Sequence, residues 1–166
     1  MSNLDLQIVE DKDVSIVADI LSSAVRRKLD YGDQAWGSRD WTDDEIREVM
    51  TRGTVYLIKQ EYEYVGTVSI QWDDEKMWGT QNSKAAYIHR LATKESFKGQ
   101  GLGEKAIDWV EEQATKNGCT FLRLDCEEKN KGLCGYYEKL GFIKVGTKSS
   151  ENSDYVAALY ERPIVS

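Results

Sequence analysis

Lys98-Gly99-Gln100-Gly101-Leu102-Gly103 sets a lysine before three alternating glycines, in a chain of 166 residues. Glycine reaches φ > 0 and lets backbone come close to a ligand. An apolar helical stripe begins at Leu102, so the loop opens a helix whose first N–H groups lack partners and whose dipole adds partial positive charge. With Lys98, and Lys105 further on, these groups suit phosphate oxygens. A tight strand-to-helix turn with no ligand has the same glycine punctuation. A dinucleotide is a third reading, because Asp125 ends the next strand roughly 20 residues on, where a ribose-binding acid belongs. Against it, Glu104 takes the place of the third glycine of GxGxxG, and Lys94–Phe97 separates the loop from the preceding strand. No GK[ST] follows, which excludes a P-loop.

Acid–base chemistry has fewer candidates. The strand Ala85–Thr93 contains no acid, and its period of two sets Tyr87, His89 and Leu91 on one face. His89, the only histidine, is the one side chain on that strand that ordinarily titrates near neutrality. It is the candidate base; a histidine satisfied by a strand neighbour is the alternative. Asp125 and Glu127 are the fallback acids. Cys119, Cys126 and Cys134 are an odd count without CxxC spacing, so reduced buried thiols are expected and no metal site.

These residues need a scaffold. Leu4–Val9 alternates as a strand, and Val14–Leu29 carries a helical stripe through Val14, Val17, Leu21, Ala24 and Val25. Asp30–Trp41 reads as a loop. Thr42-x-x-Glu45 is a capping box opening a helix that Gly53 stops. Thr54–Lys59 and Tyr64–Trp72 form a hairpin, and a polar loop over Asp73–Ser83 leads to the strand Ala85–Thr93. A helix over Leu102–Asn117, a strand over Phe121–Cys126, a short helix over Leu133–Leu140 and strands over Phe142–Thr147 and Val156–Arg162 complete the chain. On the short helix, Tyr136 falls in line with Leu133 and Leu140 and is expected to face the core, while Gly132 and Gly135 mark either a loose helix or a close neighbour. The order implies an α+β fold: a mixed, mostly antiparallel central sheet flanked by helices, with one parallel crossover, as a single domain over residues 1–166.

The second glycine-bearing stretch, Asn130 to Phe142, contains Tyr137-Glu138-Lys139-Leu140-Gly141-Phe142. Lys98-x-x-Gly101-x-Gly103 resembles the Q/R-x-x-G-x-G/A cofactor motif of the GNAT superfamily of N-acetyltransferases, and the later stretch resembles its N-x7-Y-E-K-L-G-F signature. One helix and one strand separate the two, as in that family. Lys98 departs from the usual Gln or Arg, keeping the charge but not the planar fork. The resemblance implies acetyl-CoA as co-substrate, with Leu91, Ala92 and Thr93 along the pantetheine arm and Lys98, Gly99, Gln100, Gly101, Leu102 and Gly103 around the pyrophosphate. It also implies an oxyanion donor near Leu91 or Ala92, and Tyr137 as the acid for the leaving thiolate. Asn130 is expected to cap its helix and to touch the cofactor.

The same resemblance places the acceptor wall at Tyr31, Trp36 and Trp41; the Gln71–Thr80 loop, with Trp72, Trp78 and the acidic run Asp73-Asp74-Glu75, is either a second candidate wall or a solvated turn, and Asp125 is a further candidate. Aromatic rings among Asp33, Asp40, Asp43 and Asp44 suit a cationic amine, though a loop anchored by buried tryptophans has the same composition. Net charge is -7, against a nucleic-acid surface. No apolar run approaches the ~20 residues of a membrane span, and the first residues lack a secretory signal, so a cytoplasmic place is expected. The expected activity is acetyl transfer to a primary amine of a small molecule or peptide. A non-catalytic acyl-CoA-binding domain is the alternative. Expected partners are acetyl-CoA and the amine acceptor, with a homodimer permitted by the sequence.

Overall fold

The computed structural model describes residues 4–165; residues 1–3 and 166 of the single-domain reading lie outside the described residues. Chain order is β1 (Asp5–Ile8), α1 (Val14–Asp30), α2 (Asp43–Arg52), β2 (Thr54–Gln60), β3 (Glu63–Gln71), α3 (Glu75–Trp78), β4 (Ala85–Thr93), α4 (Leu102–Lys116), β5 (Phe121–Glu127), α5 (Lys131–Lys139), β6 (Ile143–Ser149) and β7 (Val156–Pro163). The capping box at α2 closes in both directions: Thr42 Oγ1 accepts from the Glu45 N–H at 3.2 Å, and the Glu45 carboxylate accepts from the Thr42 N–H at 3.1 Å. Gly53 ends that helix for a different reason from the one expected. Its backbone is extended, and a Cβ there would run into the Ile70 carbonyl, so close approach to β3 demands the glycine.

Among the described residues the strands form one seven-stranded sheet in the order β1-β2-β3-β4-β5-β7-β6, with β4 and β5 its only parallel neighbours. The sheet is buried on both faces, as alternation along β2 shows. Val55 and Leu57 pack under α1 and α2 with Val17, Leu21, Ile46 and Val49, whereas Ile58 joins Ala106, Ile107 and Val110 of α4 on the other face. Fully burying each such side chain stabilises the fold by about 1.5–3 kcal/mol, which fixes the helices firmly on the sheet.

Two irregularities in β4 make the functional cleft. Thr67 of β3 pairs with Ala92 and Ser69 with His89, so three steps along β4 match two along β3. Arg90 absorbs the extra residue in a left-handed conformation (φ 51°). Such a bulge bends its strand and sharpens the twist. On the other side, β4 pairs with β5 only at Ala85–Phe121, Ala86–Leu122 and Tyr87–Arg123. Beyond Tyr87 the two parallel strands part and open the sheet. The bulge also breaks the strict alternation expected along Tyr87, His89 and Leu91. His89, Arg90 and Leu91 all line the opening, while Tyr87 is buried beside Trp78 and Ala85.

Helix α5 carries its core stripe one residue later than expected. Tyr137 is 8% exposed and packs with Cys134, Phe142 and Tyr160, whereas Tyr136 is 37% exposed. The stripe passes through Cys134 and Tyr137, three apart, which rotates Tyr136 out over the start of α4. There its hydroxyl sits against Gly103, in the space that a Cβ would fill. Gly135 has nothing within 4 Å of that position and Gly132 only Asn130 Oδ1 at 3.8 Å, so no neighbour crowds these two glycines.

Candidate active site

The gap between β4 and β5 is a cleft of about 1370 Å³. Residues 88–93 of β4 form one wall, and Leu124, Asp125 and Cys126 of β5 form the other. The start of α5, from Asn130 to Leu133, and the two tyrosines Tyr136 and Tyr137 close one end. Tyr31, Trp36 and Trp41 from the α1–α2 region overhang it, and the segment 73–77 after β3 borders it. Trp72 and Glu127 do not line the cleft. Trp72 falls just past the last β3–β4 pairing, at Gln71–Tyr87, and Glu127 lies at the far end of β5.

At the glycine-loop end, Lys98 lines the cleft and the glycines follow it on the exposed rim. Gly99 (φ 83°) and Gly101 (φ 70°) are left-handed, and nothing stands within 4 Å of their missing Cβ atoms. Conformation rather than crowding therefore calls for glycine at both. Gly101 is the N-cap of α4 and has no side chain to satisfy the helix's first N–H groups. Leu102 has its side chain in the core, so only its backbone is available to a ligand, and Gly103 lies inside the helix beneath Tyr136. Along β4, Arg90 and Leu91 have no partner in the β3 register and none on β5. The Thr93 carbonyl accepts a hydrogen bond from Arg27 Nη2 at 2.7 Å.

Tyr137 reaches the cleft from α5. No described residue hydrogen-bonds its hydroxyl, and burial, with Cys126 and Tyr136 nearby, pushes the phenol well above its ordinary pKa. It stays protonated across any working pH. On the β4 wall, His89 Nε2 stands 3.1 Å from Asp74 Oδ2. The angle falls short of a hydrogen bond, so both atoms are buried without a full partner. Asp74 Oδ1 accepts from the Met77 N–H at 3.3 Å as the N-cap of α3, leaving Oδ2 turned to the histidine. Ligand atoms of Asp74, His89 and Asp125 all lie within 4.8 Å of one another, close enough to share a cation. Burial, working against the pull of His89, raises the Asp125 carboxyl above the usual range, and neighbouring Asp74 adds to the rise.

Asp74 belongs to the second candidate wall, and its meeting with His89 is what the sequence did not announce. The run Asp73-Asp74-Glu75 has the composition of a solvated turn, yet the Asp74 side chain is 9% exposed. The expected cation-binding loop is also different in structure. One face of Trp36 carries Lys28 Nζ at 4.5 Å, and Trp41 carries the Arg90 guanidinium at 5.3 Å. Asp40 and Asp44 are spent on Arg26 and Arg47. Asp33, 1% exposed, accepts from Lys28 Nζ at 2.9 Å, from Asn130 Nδ2 at 2.8 Å and from the Ala35 N–H at 2.9 Å. Burial opposes ionisation there, but these donors outweigh it and hold the carboxyl below its ordinary pKa. Asn130 caps α5 as expected, its Oδ1 accepting from the Leu133 N–H at 3.1 Å, and its other end latches the α1–α2 loop to α5.

Comparison with known proteins agrees with this architecture. The family model of the acetyltransferase (GNAT) family matches residues 19–142. The uncharacterised N-acetyltransferase YesJ of Bacillus subtilis (strain 168) is 26% identical over 147 residues, spanning 84% of this chain and 81% of its own. Among solved structures, a GNAT-family acetyltransferase from Listeria monocytogenes 4b F2365 superposes with a TM-score of 0.76 at 23% identity, covering 96% of this chain and 94% of that one. The yncA protein of Salmonella typhimurium, solved with its cofactor acetyl-CoA, gives 0.70 at 14% identity over 99% of this chain and 95% of that one. The chain belongs to the acetyltransferase (GNAT) family and is an acetyl-CoA-dependent N-acetyltransferase.

Proposed function

We propose that this chain acetylates a primary amine of a small molecule or peptide by direct attack of the amine on the thioester, in the gap between β4 and β5. One observation carries the reading: His89, Asp74 and Asp125 meet in that gap, and Tyr137, whose hydroxyl no described residue hydrogen-bonds, lines the same gap. Acetyl-CoA supplies the activated acyl group. Lys98 and the backbone from Gly99 to Gly103 hold its phosphates at the start of α4, and the open edge of β4 from Leu91 holds its arm. Asp125 and Asp74 attract the ammonium form of the acceptor. His89 takes its first proton, Asp74 holds the charged imidazole in place, and the freed amine attacks the carbonyl carbon. The N–H groups at the bulge, near Leu91, donate to the oxygen where negative charge develops. As the C–S bond breaks, Tyr137 gives its proton to the sulfur. The second proton from nitrogen returns through solvent to the phenolate, so each turnover releases one net proton.

The pairing of a reducing-compartment cysteine set with an acidic surface supports a cytoplasmic enzyme working as one domain. All three cysteines are free and buried. The test is thiol release from acetyl-CoA across a panel of primary amines, repeated with His89→Gln. Release that depends on the amine, with the acid limb of the pH–rate profile flattened in the variant, is the expected result. No amine-dependent release from any member of the panel would reject the reading.

A further inference from the structure

The chain has eight arginines. Six of them (Arg26, Arg27, Arg39, Arg47, Arg123 and Arg162) pair with a carboxylate. Arg52 and Arg90 have neither an ion pair nor a hydrogen bond among the described residues, and both line the cleft. Arg52, in the last turn of α2, is placed where a helix end favours a cation. Arg90 has no such local reason. It is half-buried, it stacks on Trp41, and it holds a left-handed backbone that costs a non-glycine residue about 1–2 kcal/mol. The two guanidiniums are close enough for Arg52 to pull the Arg90 pKa down, in addition to the larger effect of burial. Two neighbouring cations that no acid among the described residues meets at ion-pair distance make a site for an anion.

The neighbouring groups say what kind of anion. Arg90 also feels the charges of Asp125 and Asp74, yet neither reaches ion-pair distance. The cleft therefore holds two carboxylates with His89 and, at the next residue of β4, the Arg90 guanidinium, with Arg52 lining the same cleft. That arrangement complements a molecule with its ammonium and an oxyanion on neighbouring carbons. We propose that the acceptor is a free α-amino acid, its amine held at Asp74, His89 and Asp125 and its carboxylate bridged by Arg90 and Arg52, with the side chain toward Met77 and Tyr155. The inference rests on the acetyl-transfer reading above and narrows it, since a peptide N-terminus offers no carboxylate beside its amine. Arg90 binds substrate through a bulge that also sets the backbone near Leu91, so one irregularity in β4 serves both acceptor choice and charge stabilisation.

The experiment compares matched acceptors: each of a set of L-amino acids, its primary amide and its decarboxylated amine, assayed for thiol release with acetyl-CoA. The free acid should exceed its amide in kcat/KM by roughly 10- to 100-fold, the effect of a hydrogen bond to a charged group. In Arg90→Gln and in Arg52→Gln that ratio should collapse toward one, whereas Arg90→Lys should keep part of it. The ratio is read within each variant, so a partly unfolded preparation does not disturb it, and Arg52 lies exposed at a helix end where substitution is tolerated. Amides or simple amines used as well as free acids by the wild type would overturn the inference and leave acetyl transfer standing. If no amine supports thiol release, calorimetry of amino acids against the CoA-bound protein decides: arginine-dependent binding of the free acid alone sustains the inference, and its absence overturns it.

Discussion

Tyr137→Phe removes one oxygen and nothing else from the cleft. The ring packs against Phe142 and Tyr160, and phenylalanine keeps that packing. The hydroxyl has no hydrogen-bond partner among the described residues, so no bond is lost with it. A bonded hydroxyl would contribute about 0.5–1.5 kcal/mol; here the change in stability should stay within about 0.5 kcal/mol. Turnover should behave differently. A positioned general acid contributes roughly 10²–10⁴ in rate, and because the proton is needed only as the C–S bond breaks, kcat and kcat/KM should fall together. The raised pKa of the phenol keeps its proton in place throughout the accessible range, so the alkaline limb of the wild-type pH–rate profile must come from another group. Thiol release at saturating acetyl-CoA measures the turnover, and thermal melts with and without CoA measure fold and cofactor binding. A variant whose kcat stays within about threefold of wild type, well short of what an acid supplies, would remove Tyr137 from the mechanism. A large loss of stability with proportionate loss of activity would equally refute the separation of roles drawn here.

Three further perturbations test the scaffold around it. Asp33→Ala leaves the Lys28 ammonium and the Asn130 amide without their shared acceptor, and breaking such a pair should destabilise by about 3 kcal/mol in denaturant titrations. Because the folded carboxyl is held below its unfolded pKa of about 3.9, the gap between wild type and variant should be full above that value and shrink as pH falls through the folded one; a gap unchanged into strong acid would refute the account. Gly101→Ala forces a left-handed alanine at about 1–2 kcal/mol and should raise the KM for acetyl-CoA more than it lowers kcat. Gly101→Asn should recover part of the loss, and equal behaviour of the two would show that conformation is not the constraint. Asp125→Asn should melt higher than wild type at pH 8 while acetylating more slowly, since the raised folded pKa means that ionisation opposes folding there; the gain should vanish below the unfolded pKa, where both states are protonated, and a lower melting temperature at pH 8 would contradict it.

What the sequence made legible follows the physics of repetition and local bonding. The stripe Val14, Val17, Leu21, Ala24, Val25 is buried along α1, and Leu102, Ala106, Val110, Ala114 along α4, because a period near 3.6 states which face must leave water. Thr42 and Glu45, and the left-handed Gly99 and Gly101, were equally readable, since each depends on neighbours only a few residues away. The misplacements share a cause of the opposite kind. Nothing within Ala85–Thr93 announces that β4 carries one residue more than β3 requires. The alternation that set His89 and Leu91 together therefore gave no hint that Arg90 would join them. Tyr136 leaves its expected place in the core because the stripe of α5 is set by what it packs on, with only nine residues to declare a phase.

Asp74 is the instructive case. Its neighbours in sequence are acids, which ordinarily mark a solvated turn, and its burial comes from α3 folding back so that one oxygen caps the helix while the other meets His89 from a different strand. The cap was local and therefore recognisable in principle; the histidine lies fifteen positions on and was not. Local chemistry thus made the glycine loop legible, whereas the proposed acceptor end exists only where a bulge, a short helix and two parting strands converge. Substitutions that relax the bulge should accordingly change acceptor choice and oxyanion stabilisation together while leaving affinity for CoA in place. Fluorescence titration with CoA, set beside kcat/KM on matched acceptors, separates the two, and a joint loss of CoA binding would show that the ends of the cleft are not independent.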